Sequence, residues 1–147
     1  MRAGRKSVAQ IMLGRAMDQS VKFPYIRASL IEVLRTLSDR GHQRRVWVDH
    51  VLPHPNYYDE FDVSVHLLFD DTSLAEKPQE WIGFVLKNEH EVELVGKVGQ
   101  AIERLFAALG TRKTDKEYIE SPLWDDVVEA AKRAHAAIDS PEDRFPD

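Results

Sequence analysis

Phe61-Asp62-Val63-Ser64-Val65-His66-Leu67-Leu68-Phe69 is the stretch on which the fold class turns. Phe61, Val63, Val65, Leu67 and Phe69 alternate with Asp62, Ser64, His66 and Leu68, the period-two pattern of a half-buried strand. At helical period, Phe61, Val65, Leu68 and Phe69 also share a face. A strand must find partners for its backbone N–H and C=O groups, and no second strand in the chain is convincing. The one candidate is Gln43 to Leu52, where Val46, Val48 and Val51 suit a strand while Val46, Trp47, His50 and Val51 make a helical face. Helix is therefore the expectation for 60–70 and for 43–52, with a small hairpin of about 45–51 and 61–69 as the α+β alternative.

The remaining elements read more simply. A helix over 24–39 starts on Pro24, and Ile26, Leu30, Val33, Leu34 and Leu37 form its buried stripe. Gly41 ends or interrupts it. Pro53, Pro55 and Asn56 break the next element. A short helix is expected over 78–86, with Trp81, Ile82, Val85 and Leu86 turned inward. Asn88 caps a helix over 89–109, with Glu91 in the capping-box position and Gly110 as the stop. Val95, Val98, Ile102, Leu105, Phe106 and Leu109 line its inner face, and Gly96 and Gly99 look like close-packing positions. Ser121-Pro122 opens a last helix over 122–138, with Trp124, Val127, Val128, Ala131, His135 and Ile138 inside. The fold class expected is mainly α, an irregular bundle of four to six helices in one domain over 23–138. A basic, disordered extension over 1–22 is expected before it and a loose tail over 139–147 after it. Met12 and Met17 are alternative start sites within that extension.

Composition narrows the function classes. At 147 residues, 43% apolar and 31% charged, the chain suits one globular domain. No apolar run approaches a membrane span, and no secretory signal is legible. Cysteine is absent, which excludes disulfides, thiolate nucleophiles and cysteine-based metal sites and fits a reducing, cytoplasmic compartment. The net charge of −5 hides a division. Residues 1–58 carry 10 Lys+Arg against 4 Asp+Glu, and residues 59–147 carry 10 against 21. The two halves thus differ in sign, which favours mutual attraction or the steering of an external partner. An acidic surface disfavours nucleic acid. Neither a membrane nor nucleic acid is expected as a partner, and a homodimer remains open.

Walker A, GxGxxG, GxSxG and HExxH patterns are all missing. The sharpest enzymatic alternative is metal-assisted hydrolysis by the cluster His50, His54, Asp59, Asp62, His66, Asp70 and Asp71. Against it, His50 and His54 straddle Pro53, which spoils helical i, i+4 ligation. No metal or organic cofactor is expected, and non-enzymatic function is preferred. His135, on an apolar helix face, reads as a satisfied histidine. Trp47, Trp81 and Trp124 read as core anchors, and Arg40, Arg44 and Arg45 as a solvated face.

Tyr57 and Tyr58 sit between Pro53-His54-Pro55-Asn56 and Asp59-Glu60-Phe61-Asp62. Tyrosine among carboxylates suits a protein interface, because the ring gives area and the hydroxyl a directed bond. A core-capping loop with one tyrosine buried is the equal alternative. The candidate protein-binding residues are Tyr57, Tyr58, Asp59, Glu60, Asp62, Asp70 and Asp71.

The runs Tyr57 to Thr72, Trp81-Ile82-Gly83-Phe84-Val85-Leu86-Lys87-Asn88-Glu89 and Glu117-Tyr118-Ile119-Glu120-Ser121-Pro122-Leu123-Trp124 resemble motifs in a loose group of small helical bacterial proteins. Some of that group look like immunity proteins encoded beside polymorphic or contact-dependent toxins. The likeness covers about 24–138 and rests on caps and core positions. It implies an inhibitor that binds one toxin domain, with the acidic half facing a basic toxin surface.

Overall fold

The computed structural model describes residues 21–139. Among these residues the chain is mainly helical, with six helices and no strand. The small hairpin is therefore excluded, and both ambiguous stretches are helical. Helix α1 is Pro24–Leu37. Helix α2 is the turn Arg40–His42 continued by a π-helix, Gln43–Val48. Helix α3 has the same construction, Phe61–Val65 running into the π-helix His66–Asp71. Helices α4, α5 and α6 are Glu89–Leu109, Asp115–Ile119 and Trp124–Ile138. Residues 1–20 and 140–147, and with them most of the expected extension and tail, lie outside the described residues. No described helix is long and apolar enough to cross a membrane.

Burial shows why α3 is helical. Phe61, Ser64 and Leu68 are buried, a spacing of three and four, while Val63, Val65, Leu67 and Phe69 are half-buried. Phe61 is the hub of an aromatic cluster. Its ring lies 5.0 Å from Trp124, 5.4 Å from Tyr118, 5.8 Å from Trp47 and 5.9 Å from Phe106. Rings at these separations, two of them edge-on, add attraction beyond their buried area. A strand would have spread the same residues over both faces of a sheet. Here one side chain joins α3 to α2, α4, α5 and α6.

Helix α6 packs against both α4 and α1, and α3 lies against α1. Gly99 allows the segment before α4 to come close, because a Cβ there would stand 2.6 Å from the Ala75 carbonyl oxygen. Gly96 has no such role, its nearest neighbour being Pro78 Cγ at 3.8 Å. The buried Arg27 guanidinium donates to both Glu91 carboxylate oxygens, at 2.8 and 2.9 Å, and to the carbonyls of Val85 and Ile138. That single side chain ties α1 to α4, to the end of α6 and to the segment before α4.

Several boundaries differ from expectation for local reasons. The break after α1 falls at Ser38, and Gly41 sits in the first turn of α2, where Asp39 caps the His42 N–H at 3.0 Å. Helix α2 ends at Val48 instead of 52, because His50 takes φ 57° and turns the chain before the prolines. The helix expected over 78–86 is only a 3-10 turn, Pro78–Trp81. Gly83 takes φ 87°, and the Lys22 and Phe23 N–H groups pair with the Gly83 and Phe84 carbonyls instead. Val85 and Leu86 are nevertheless buried. Glu91 does not complete a capping box. It accepts the Lys87 N–H at 2.7 Å and Arg27, while Asn88 caps the Glu91 N–H. Helix α5 was not foreseen, although Thr114 and Glu117 spell its capping box in the sequence.

Candidate functional site

The loop between α2 and α3 carries the aromatic-acidic segment, and hydrogen bonds hold it at both ends. At its start the Val51 N–H reaches back to the Arg45 carbonyl at 2.7 Å. At its finish the Phe61 N–H donates to Asp115 Oδ2 at 3.1 Å, so α5 caps α3. Between them, Asp59 Oδ2 accepts from both His42 Nε2 and Trp47 Nε1, each at 2.7 Å. The Asp59 side chain is only 9% exposed. A nearly dehydrated carboxylate oxygen with two donors is a strong tether, because breaking it would leave buried polar groups unpaired. Tyr57 packs edge-on against His42 at 6.2 Å and His54 at 5.6 Å. Pro53 and Pro55 restrict the backbone between. Val51, Leu52 and Tyr58 point outward, Tyr58 at 68% exposure.

Beside this loop runs a groove of about 340 Å³. Ser29, Glu32, Val33 and Thr36 contribute one face of α1; Val63, Leu67 and Asp71, at steps of four, contribute one face of α3; Tyr57, Tyr58 and Asp59 close the third side. Val33, Val63 and Leu67 supply apolar surface, and the charged lining is Glu32, Asp59 and Asp71, with no lysine or arginine. The two helices flanking the loop each end in a π-helical stretch. Such stretches are scarce and occur frequently at functional sites. A second groove of about 430 Å³, between α4 and α6, is lined by Lys97, Arg104 and Arg133 against Asp126 and Glu129. Its mixed charges give it no such character.

Four of the expected site residues, Tyr57, Tyr58, Asp59 and Asp71, thus meet in one groove. The other three lie beside it. The Glu60 carboxylate takes a hydrogen bond from Tyr58. Asp62 and Asp70 flank His66 on the exposed side of α3, with Asp70 at 2.7 Å from Nδ1. Asp59 faces inward more than a surface carboxylate would. The contribution from α1 was missed, since Val33 read only as core and nothing in the sequence links 29–36 to 57–71.

Burial, reinforced by Asp59, raises the Tyr57 hydroxyl above its ordinary pKa. The hydrogen bond to Glu60 does the same for Tyr58. Both hydroxyls therefore stay protonated at neutral pH and remain donors.

Charge is divided in the same way. Arg27, Arg40 and Arg44 of the basic half pair with Glu91, Asp125 and Glu120 of the acidic half, so those cations are used within the fold. Arg35 is taken by Glu32, at 2.6 Å, and approaches Asp39. Glu60, Asp62, Asp70 and Asp71 have no lysine or arginine partner among the described residues.

The histidine-carboxylate cluster is dispersed. His54 packs edge-on against Tyr57, Asp59 serves His42 and Trp47, and His66 pairs on α3, so no three His, Asp or Glu residues among those described are placed to hold a metal ion. His135 lies 3.6 Å from Asp139. Trp124 is fully buried and donates to Gln43 at 2.8 Å, whereas Trp81 is half-buried and donates to Ser73 at 2.9 Å. Arg40, Arg44 and Arg45 are exposed, as a solvated face requires, and Arg40 and Arg44 also make inter-helix ion pairs.

A family model, that of a domain of unknown function (DUF7945), matches residues 21–144. No curated protein and no solved structure matches the chain.

Proposed function

This chain belongs to the DUF7945 family, and we propose that it is a protein-binding module whose contact surface is the groove and loop around Tyr57 and Tyr58. The observation that carries this reading is the tethered loop. It holds an exposed tyrosine, Tyr58, against an apolar-floored, acid-rimmed groove and also exposes two aliphatic residues, Val51 and Leu52. A tethered loop loses little conformational freedom on binding, so its contacts translate into affinity. Glu60, Asp62, Asp70 and Asp71 favour a basic partner and act mainly on association rate, with the tyrosines as anchors. The finer reading is an immunity-type inhibitor of a basic toxin domain, which rests on the resemblance of the three motifs and on this acidic rim.

Photo-crosslinking tests the module. A Tyr58→p-benzoylphenylalanine protein should capture one partner in its native cells, and the same substitution at Ala107, outside the groove, should not. Equal capture from both positions, or none from position 58, overturns the surface. For the finer reading, co-expression with the product of the adjacent gene should relieve growth arrest caused by that product. Unchanged arrest, or an adjacent gene whose product is harmless, overturns the inhibitor role.

A further inference from the structure

The groove is more selective than an acidic rim, and its donor set narrows what it takes. We infer that it is a receptor for an arginine side chain of the partner, with the aliphatic stem on Val33, Val63 and Leu67 and the guanidinium held by Asp59 and Asp71 against the tyrosine rings. This deepens the binding-module reading and rests on it.

Both hydrogen bonds to Asp59 fall on Oδ2. Its other oxygen has no partner among the described residues, although the side chain is nine-tenths buried and lines the groove. An acceptor already fixed by two internal donors needs no reorientation to receive a third. Glu32 is engaged by Arg35, which leaves the second oxygen of Asp59 and the Asp71 carboxylate to take a new cation. That Arg35 guanidinium lies beside the Tyr57 hydroxyl and bonds Glu32 at the groove edge, so one guanidinium already rests in this kind of setting.

The lining also discriminates among cations. Three aliphatic residues suit a long methylene stem. A half-enclosed space penalises the strongly hydrated ammonium of lysine more than the weakly hydrated, planar guanidinium, which also stacks on tyrosine. The absence of any cation from the lining completes the complementarity.

A pentapeptide, acetyl-Gly-Gly-Arg-Gly-Gly-amide, probes this directly by amide chemical-shift titration at low salt. Shifts should concentrate at Tyr57, Tyr58, Val63, Leu67 and Asp71. The lysine analogue should bind about two- to fivefold more weakly, the yield of one partly exposed cation–π contact. The neutral citrulline analogue should not shift these amides. Tyr58→Ala and Asp71→Asn, both at exposed positions, should each weaken the arginine peptide by a similar factor with the spectrum otherwise unchanged. Shifts spread evenly over the acidic surface, or equal affinity for arginine and lysine, overturn the receptor. If position 58 crosslinks a partner while the peptide leaves the groove unshifted, the arginine assignment fails and the module stands. If neither occurs, both fall.

Discussion

Helix α4 and the longer α2–loop–α3 region are built on different principles. Helix α4 follows local rules: a side-chain cap at Asn88, a continuous apolar stripe, and Gly110 at φ 85°. The α2–loop–α3 region has short α-helical turns, two π-helical stretches and twelve residues of loop, 49–60, and it depends on bonds between residues far apart in sequence. Local rules give an element whose bounds are set within its own sequence and carry little information about its surroundings. Distant bonds give a surface whose shape is fixed by the rest of the fold, which is what a recognition site needs.

The largest expected effect comes from removing the side chain that joins the two regions. Phe61→Ala should cost about 3–5 kcal/mol, because it empties the centre of the aromatic cluster. Chemical denaturation checks this, and a loss below about 1 kcal/mol would show that α3 is not packed as described. Next is Asp59→Ala, which leaves the His42 and Trp47 N–H groups without their acceptor. It should cost about 1–3 kcal/mol. Proteolysis should then cut within 49–60 while α4 amides keep their hydrogen-exchange protection. Equal loss of protection in both regions would erase the contrast between them.

The contrast also explains what could be read from the sequence. The stripe and caps of α4 predicted its bounds at 89–109, since every determinant lies within the helix. In α3 the helical choice depended on having no strand partner, an argument about the whole chain. The π-helical ends were not legible, because neither stretch carries a proline, a glycine or a side-chain cap that would mark it. Tyr57, Tyr58, Asp59 and Asp71 were flagged by residue type, but Ser29, Glu32 and Thr36 entered only when α1 was set beside α3. The inward turn of Asp59 was hidden for the same reason: His42 and Trp47 lie 17 and 12 residues away.

A smaller effect sharpens the comparison from the stable side. His50 holds φ 57°, a left-handed conformation that disfavours a side chain. His50→Gly should raise stability by up to about 1 kcal/mol, with glycine suited to this post-helical position. Thermal unfolding checks it. A decrease would mean that the His50 side chain contributes more to the loop than its backbone costs.

The smallest effect concerns the carboxylate that caps α3. Burial raises the Asp115 pKa above 3.8, the Phe61 N–H opposes that shift, and Glu60, Asp62 and Asp59 reinforce it. A raised carboxyl pKa means that the folded state holds the proton more tightly than the unfolded chain does. Asp115 therefore favours folding most when protonated, and that advantage is lost as pH rises from 3.8 through the folded value. Asp115→Asn keeps an oxygen for the Phe61 N–H and removes the charge. Relative to the original chain, its melting temperature should be about 1 °C higher at neutral pH, a small gain because the half-exposed group is well screened. The difference should shrink toward zero below pH 3.8. Asp115 also occupies the first turn of α5, where a negative charge is favoured by the helix N-terminus. The two influences have opposite slopes with pH. A difference that turns negative as pH rises would show that the helix end outweighs the acidic neighbours, and the acidity of the groove surroundings would then cost the fold nothing at this position.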